Sequence, residues 1–131
     1  MLKIEQSMNE ALVDAKDFSQ SNTSVVWVRH ENGDPHSASI YLHGSKIGWY
    51  FWSGTDESWM LLLDDCNYQT DTTKSRLNAL LTGIGQGNRL GIFQRDFRWY
   101  YVMGASEYKW TGSQRFLAMP PAGHTNERRT T

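Results

Sequence analysis

The residues best placed to do chemistry cluster at one point of the chain. Thr72, Thr73, Lys74 and Arg76 open an apolar-periodic stretch, TDTTKSRLNALLTGI, from Thr70 to Ile84. Free backbone N–H groups, two hydroxyls and two cations converging on a helix start are what a phosphate or carboxylate needs. The competing reading is ordinary capping, with Lys74 and Arg76 paired to Asp64, Asp65 or Asp71. Cations in the first turn oppose the helix dipole by roughly 0.3–1 kcal/mol each, so they need a partner of some kind. A second cluster is the aromatic strand GWYFW, Gly48 to Trp52. With Tyr41, it offers rings that can stack on bases or anchor a protein partner, and the same rings can also be core. Strict alternation places Ile47, Trp49 and Phe51 on one face and Tyr50 and Trp52 on the other.

Other reactive types lack a complete set. His30, His36 and His43 are spaced six and seven apart, but no carboxylate or cysteine completes a zinc signature. Asp64-Asp65-Cys66 has no neighbouring histidine in sequence to activate the thiol. The glycines of Gly83-Ile84-Gly85-Gln86-Gly87 follow a helix, the wrong order for a phosphate loop. Arg95 and Arg98, with Arg115, Arg128 and Arg129, make the last third more basic than the middle. No catalytic residue, metal or cofactor is assigned from these patterns.

Elements must hold these groups in place. Ile4, Met8, Ala11, Leu12 and Ala15 share one face of an amphipathic helix over residues 3–18, with Glu5, Glu10, Asp14 and Lys16 on the wet side. Leu77, Leu80, Leu81 and Ile84 form the stripe of a second helix, with Gly83 and Gly85 as its stop. Between them four strands are expected: Val25 to His30, Ser37 to His43, Lys46 to Ser53 and Trp59 to Leu63. Asn32-Gly33 marks one turn, and Gly44-Ser45 another of type II′. Leu90 to Gln94 and Phe97 to Val102 read as a hairpin around Arg95-Asp96, followed by one irregular strand. Short turns imply antiparallel pairing. The expected fold is α+β, in the order α-β-β-β-β-α-β-β(-β). An antiparallel sheet of about five to seven strands is packed on one face by two helices. Residues 1–119 form a single domain, and residues 120–131 a polar, mobile tail. The other sheet face is then open, with Tyr41, Tyr50 and Trp52 expected on it.

Composition narrows the function class. The chain has 131 residues, 13 basic against 14 acidic, and six Trp, six Tyr and five Phe. Near-zero net charge speaks against binding driven by nonspecific phosphate attraction. One cysteine excludes an internal disulfide. No apolar run approaches a membrane span, and the N-terminus lacks the apolar stretch of a signal peptide.

The strings TDTTKSRLNALL and GIFQRDFRWYYV, with IYLHGSKIGW and more loosely QRFLAMPPAG, resemble a group of short proteins encoded by tailed bacteriophages. The resemblance covers Val25 to Met119 and weakens over Tyr50 to Tyr68. It implies expression in the cytoplasm of an infected bacterium. The group has no settled activity, so the resemblance transfers no site residues. The element order α-β-β-β-α is also similar to that of double-stranded-RNA-binding domains. The function expected is a non-enzymatic accessory protein binding a host protein through Tyr41, Tyr50 and Trp52. The alternative is a nucleic-acid-binding module using Thr72, Thr73, Lys74, Arg76, Arg95 and Arg98. Homodimerisation through the same face or a sheet edge is a further expectation.

Overall fold

A computed structural model describes residues 1–123 of the chain. Two helices, α1 (Lys3–Val13) and α2 (Asp71–Ile84), lie on one face of a six-stranded antiparallel sheet. Its strands are β1 (Phe18–Gln20), β2 (Thr23–Arg29), β3 (Pro35–Leu42), β4 (Ser45–Ser53), β5 (Ser58–Asp64) and β9 (Ser113–Ala118), in the order β1-β2-β3-β4-β5-β9. The α+β expectation holds, with two differences. A separate three-stranded sheet, β6 (Gly91–Arg95), β7 (Arg98–Met103) and β8 (Ser106–Lys109), carries the late hairpin. The final segment holds two strands, β8 and β9, and they fall in different sheets.

Helix α2 forms as its periodicity demands: Leu77, Leu80, Leu81 and Ile84 are all buried. Its N-cap is Thr70, whose hydroxyl accepts the Thr73 N–H at 3.1 Å. The helix runs through Gly83, which is a packing residue and not a stop. A Cβ there would overlap the Asn9 amide of α1. Asn9 Nδ2 in turn donates to the Ala79 carbonyl at 2.9 Å. Helix α1 ends at Val13, short of the expected Phe18, which instead begins β1.

The core lies between helices and sheet. Trp27, Tyr50 and Trp59 meet at centroid distances of 5.8, 5.0 and 6.5 Å. Such pairs add about 0.5–1.5 kcal/mol each beyond their burial. The Trp27 indole donates to the Ala11 carbonyl at 3.1 Å, tying sheet to α1. The small sheet joins this core through Tyr101 against Phe116, and joins α2 through Asn78. The Asn78 amide donates to Ile92 O at 2.8 Å and accepts from Ile92 N at 2.7 Å.

The hairpins use positive-φ residues. Leu42 pairs with Ser45, so His43 and Gly44 form the loop, at φ 52° and 79°. Two positive φ values define a type I′ turn, not the expected II′. Asp96 and Phe97 repeat this at φ 52° and 65°, leaving Phe97 93% exposed. Both sheet edges are blunted. Strand β1 has three residues, and β9 is flanked by the chain leaving α2, whose Gln86 N–H donates to Leu117 O at 2.8 Å. Pro121 is buried and the Ala122 N–H donates to Val13 O at 2.8 Å. Residues 124–131 of the expected tail, with Arg128 and Arg129, lie outside the described residues.

Candidate functional site

The helix-start cluster does not assemble. Arg76 points into the protein, 4% exposed, where its guanidinium meets the Glu5 carboxylate at 2.8 Å. It also donates to Thr23 Oγ1 at 3.0 Å and Asn22 Oδ1 at 3.3 Å. Glu5, expected on the wet face of α1, is buried and accepts from the Ser75 hydroxyl at 2.5 Å and the Leu2 N–H at 3.2 Å. Burial alone would raise the Glu5 pKa. The bonds from Ser75, Leu2 and Arg76 outweigh it, and the carboxyl sits below its ordinary value. Thr73 is buried and its hydroxyl bonds to Thr70. Only Thr72 and Lys74 remain at the surface, and Lys74 lies 4.0 Å from Asp71. On the small sheet Arg95 pairs with Glu107 at 3.2 Å and lies over Tyr100 at 4.7 Å. Arg98 is exposed beside Phe97. The six residues named as an anion site therefore divide among a buried ion pair (Arg76), a helix cap (Thr73), the helix surface (Thr72 and Lys74) and the small-sheet hairpin (Arg95 and Arg98), which Lys74 touches only through Gln94 at 3.5 Å.

The open sheet face exists, with other rings on it than expected. Ile40 pairs with Gly48 but Tyr41 pairs with Lys46, so Ile47 is an extra residue, a β-bulge. Ile47 is buried, and a Cβ on Gly48 would lie 3.5 Å from Leu80 of α2, so both positions face the helices. Alternation resumed from Gly48 sends Tyr50 and Trp52 to the helix side and Trp49 and Phe51 to the open side. Tyr50 is accordingly 1% exposed, its phenol pushed up by burial and donating to the Met119 carbonyl. Trp52 is partly buried against the core. Of the three rings expected outside, Tyr41 alone is there, half-buried. A glycine inside a strand was the available signal for the bulge.

On that face Trp49 stacks on Phe51 with centroids 4.0 Å apart. Lys46 lies over the Trp49 ring at 5.3 Å and Arg115 over Phe51 at 5.4 Å. Val26, Val28 and Leu117, exposed by 46%, 55% and 49%, extend the apolar surface across β2 and β9. Both helices and the small sheet pack on the opposite side.

At one end of the sheet the β2–β3 turn and the end of β4 border a groove of about 940 Å³, lined by rings from both faces. Trp49, Phe51, Trp52 and Trp59 line it together with Glu31 and Asp34. His30 and His36 also line it, edge to face at 4.9 Å. His43 is at the other end of β3, and no group of three or more His, Cys, Asp or Glu converges among the described residues. The Cys66 thiol donates to Lys46 O at 3.1 Å. Burial, then the Asp64 and Asp65 carboxylates, push the thiol up and keep it protonated. Asp65 instead accepts the buried Trp110 indole N–H at 2.9 Å.

Fold and surface thus define a small α+β protein with a sheet covered on one side and an aromatic, apolar face on the other. The chain belongs to the Kyanoviridae Gp96 protein family, whose profile matches residues 1–117, and so to a phage protein family of unsettled function. No curated protein and no solved structure matches it. No described helix is long and apolar enough to cross a membrane.

Proposed function

We propose that this phage protein is a non-catalytic accessory protein that captures a protein of the infected bacterium, in the host cytoplasm, on the open face of its six-stranded sheet. The observation that carries the reading is the Trp49–Phe51 stack, continued by Val26, Val28, Leu62 and Leu117 on a face left bare by the described helices and strands. Contiguous apolar and aromatic surface of this kind marks protein contact sites. The same stack speaks against a base platform. Each ring has one face on its neighbour and a cation over it, so neither offers an open π-face. The near-zero net charge and the internal pairing of Arg76 point the same way. The blunted edges favour a face-on contact over strand addition.

The test is affinity capture from nuclease-treated host lysate with the wild-type chain, with Leu117→Asp and with Val28→Asp. One protein recovered in stoichiometric amount by wild type, and lost with both variants, is expected. Equal recovery by all three chains, or no recovery, overturns the reading.

A further inference from the structure

We propose that the outer face of the small sheet, with the β6–β7 turn at its tip, is a binding site for single-stranded nucleic acid. It lies on a different sheet from the open face and stands independently of the host-protein reading. Strand register places Phe93 and Arg95 of β6, Arg98 and Tyr100 of β7, and Glu107 and Lys109 of β8 on one side. The opposite side, with Ile92, Trp99 and Tyr101, is buried. All four charged side chains of the outer face are exposed, and three of them are cations. Asp96 sits in the turn beyond them. A chain of 13 basic and 14 acidic residues therefore concentrates positive charge on this one small sheet face.

Three features of the tip oppose folding. Phe97 takes φ 65°, a region that bulky side chains rarely adopt. Its ring is almost wholly wet, so no packing offsets the backbone cost. Arg95 and Arg98 are directly opposite in register, a like-charge pair that weakens a hairpin, and Glu107 answers only Arg95, at 3.2 Å. Local rules broken together at one point, with no gain in packing, mark a functional site. What the tip presents is a ring with both π-faces open beside two guanidinium groups. The Phe93–Tyr100 stack lies beneath Arg95 and offers no such face, so Phe97 is the stacking ring. A nucleotide supplies both complements, a flat base for the ring and a phosphate for the arginines. An acidic peptide answers the guanidinium groups and leaves the ring bare. In a duplex the bases already stack on one another, and so few cations hold a duplex weakly. The base of the hairpin is fixed before any ligand arrives. The Asn78 amide brackets Ile92, and the Trp110 N–H donates to Trp99 O at 3.1 Å. A tip carried on so firm a base loses little freedom on binding.

The experiment titrates the full chain with a thymidine decanucleotide, with an abasic decanucleotide that keeps the phosphates and lacks the bases, with a ten-base-pair duplex and with a decaglutamate peptide. Backbone amide resonances of the Phe97 turn report binding. The thymidine strand is expected to shift them saturably and to bind about five-fold or more tightly than each of the other three probes. Phe97→Gly should lose about the same factor although it leaves the hairpin more stable, an outcome that a purely structural role for the ring would not give. Arg98→Ala should weaken binding and reduce the slope of log affinity against log salt by about 0.7, the share of one phosphate on a single strand. Equal affinity for the abasic strand or the duplex reduces the face to phosphate attraction and overturns the proposal. Equal affinity for decaglutamate overturns it in favour of an acidic protein partner. No saturation at millimolar strand, or undiminished binding by Phe97→Gly, overturns it outright.

Discussion

Replacing Arg76 by alanine should cost the protein about 3–5 kcal/mol, the usual penalty for removing one member of a buried ion pair. The structure argues for the full range. Arg76 and Glu5 are 4% and 2% exposed, and the guanidinium bonds three acceptors, on α1 and on the β1–β2 turn and β2. Without it the Glu5 carboxylate keeps two donors, the Ser75 hydroxyl and the Leu2 N–H, and faces a void where its counter-charge was. At about 4 °C per kcal/mol for a chain of this size, Tm falls by roughly 12–20 °C. The assay is urea and thermal unfolding of Arg76→Ala, Glu5→Gln and the double Glu5→Leu/Arg76→Met. The double variant removes both charges and should recover most of the loss. Glu5 also gives the sign of the acid limb. Its folded pKa is lowered, so its contribution is complete above the unfolded value and lost as pH falls through the lowered one. Glu5→Gln should therefore be less stable than wild type at neutral pH and flatten the decline below about pH 4.5. A loss under about 1 kcal/mol for Arg76→Ala would refute the reasoning and return Arg76 to the surface, where it could serve an anion.

Three further outcomes are expected. Gly83→Ala should destabilise by about 1–3 kcal/mol in urea unfolding, although alanine is the better helix former, because its methyl displaces the Asn9 amide from the Ala79 carbonyl; a raised midpoint would contradict the close helix crossing. Asp65→Ala should cost about 1–3 kcal/mol by stranding the buried Trp110 indole N–H, and Trp110→Phe in the same background should add little, measured as a double-mutant cycle. Phe97→Gly should stabilise by about 0.5–1 kcal/mol, since a fully wet phenylalanine at φ 65° contributes no packing and glycine suits the position; a destabilised variant would show that the ring is held against something.

What local pattern could and could not disclose follows from the range over which each force acts. The stripe of Leu77, Leu80, Leu81 and Ile84 and the strand–turn–strand punctuation are decided by neighbours within a few residues, so α2, the antiparallel pairing and the two-layer arrangement were legible. The Glu5–Arg76 pair joins residues 71 apart, and each alone looks like a solvated surface charge. Gly83 looks like a stop signal for the same reason: the amide that requires it is on the other helix. Sidedness fails differently. Period-two reasoning carries a face assignment along a strand only until the first inserted residue, and Ile47 is inserted just before the ring-rich stretch. The pairing of Trp49 with Phe51 and of Tyr50 with Trp52 held, but the pair facing outward was thereby reversed, and the surface itself was not lost. Four consecutive positions carry rings, so either parity leaves two of them facing out. The bulge selects Trp49 and Phe51, the pair that can stack with each other and take Lys46 and Arg115 above them. It also consigns Tyr50 to the one place where its hydroxyl reaches the Met119 carbonyl. The apolar face is therefore a property of the composition of β4, and its chemistry a property of the bulge. Deleting Ile47 would restore strict alternation and set a tyrosine hydroxyl toward solvent. It would also force Trp49 and Phe51 into a core shaped for Tyr50.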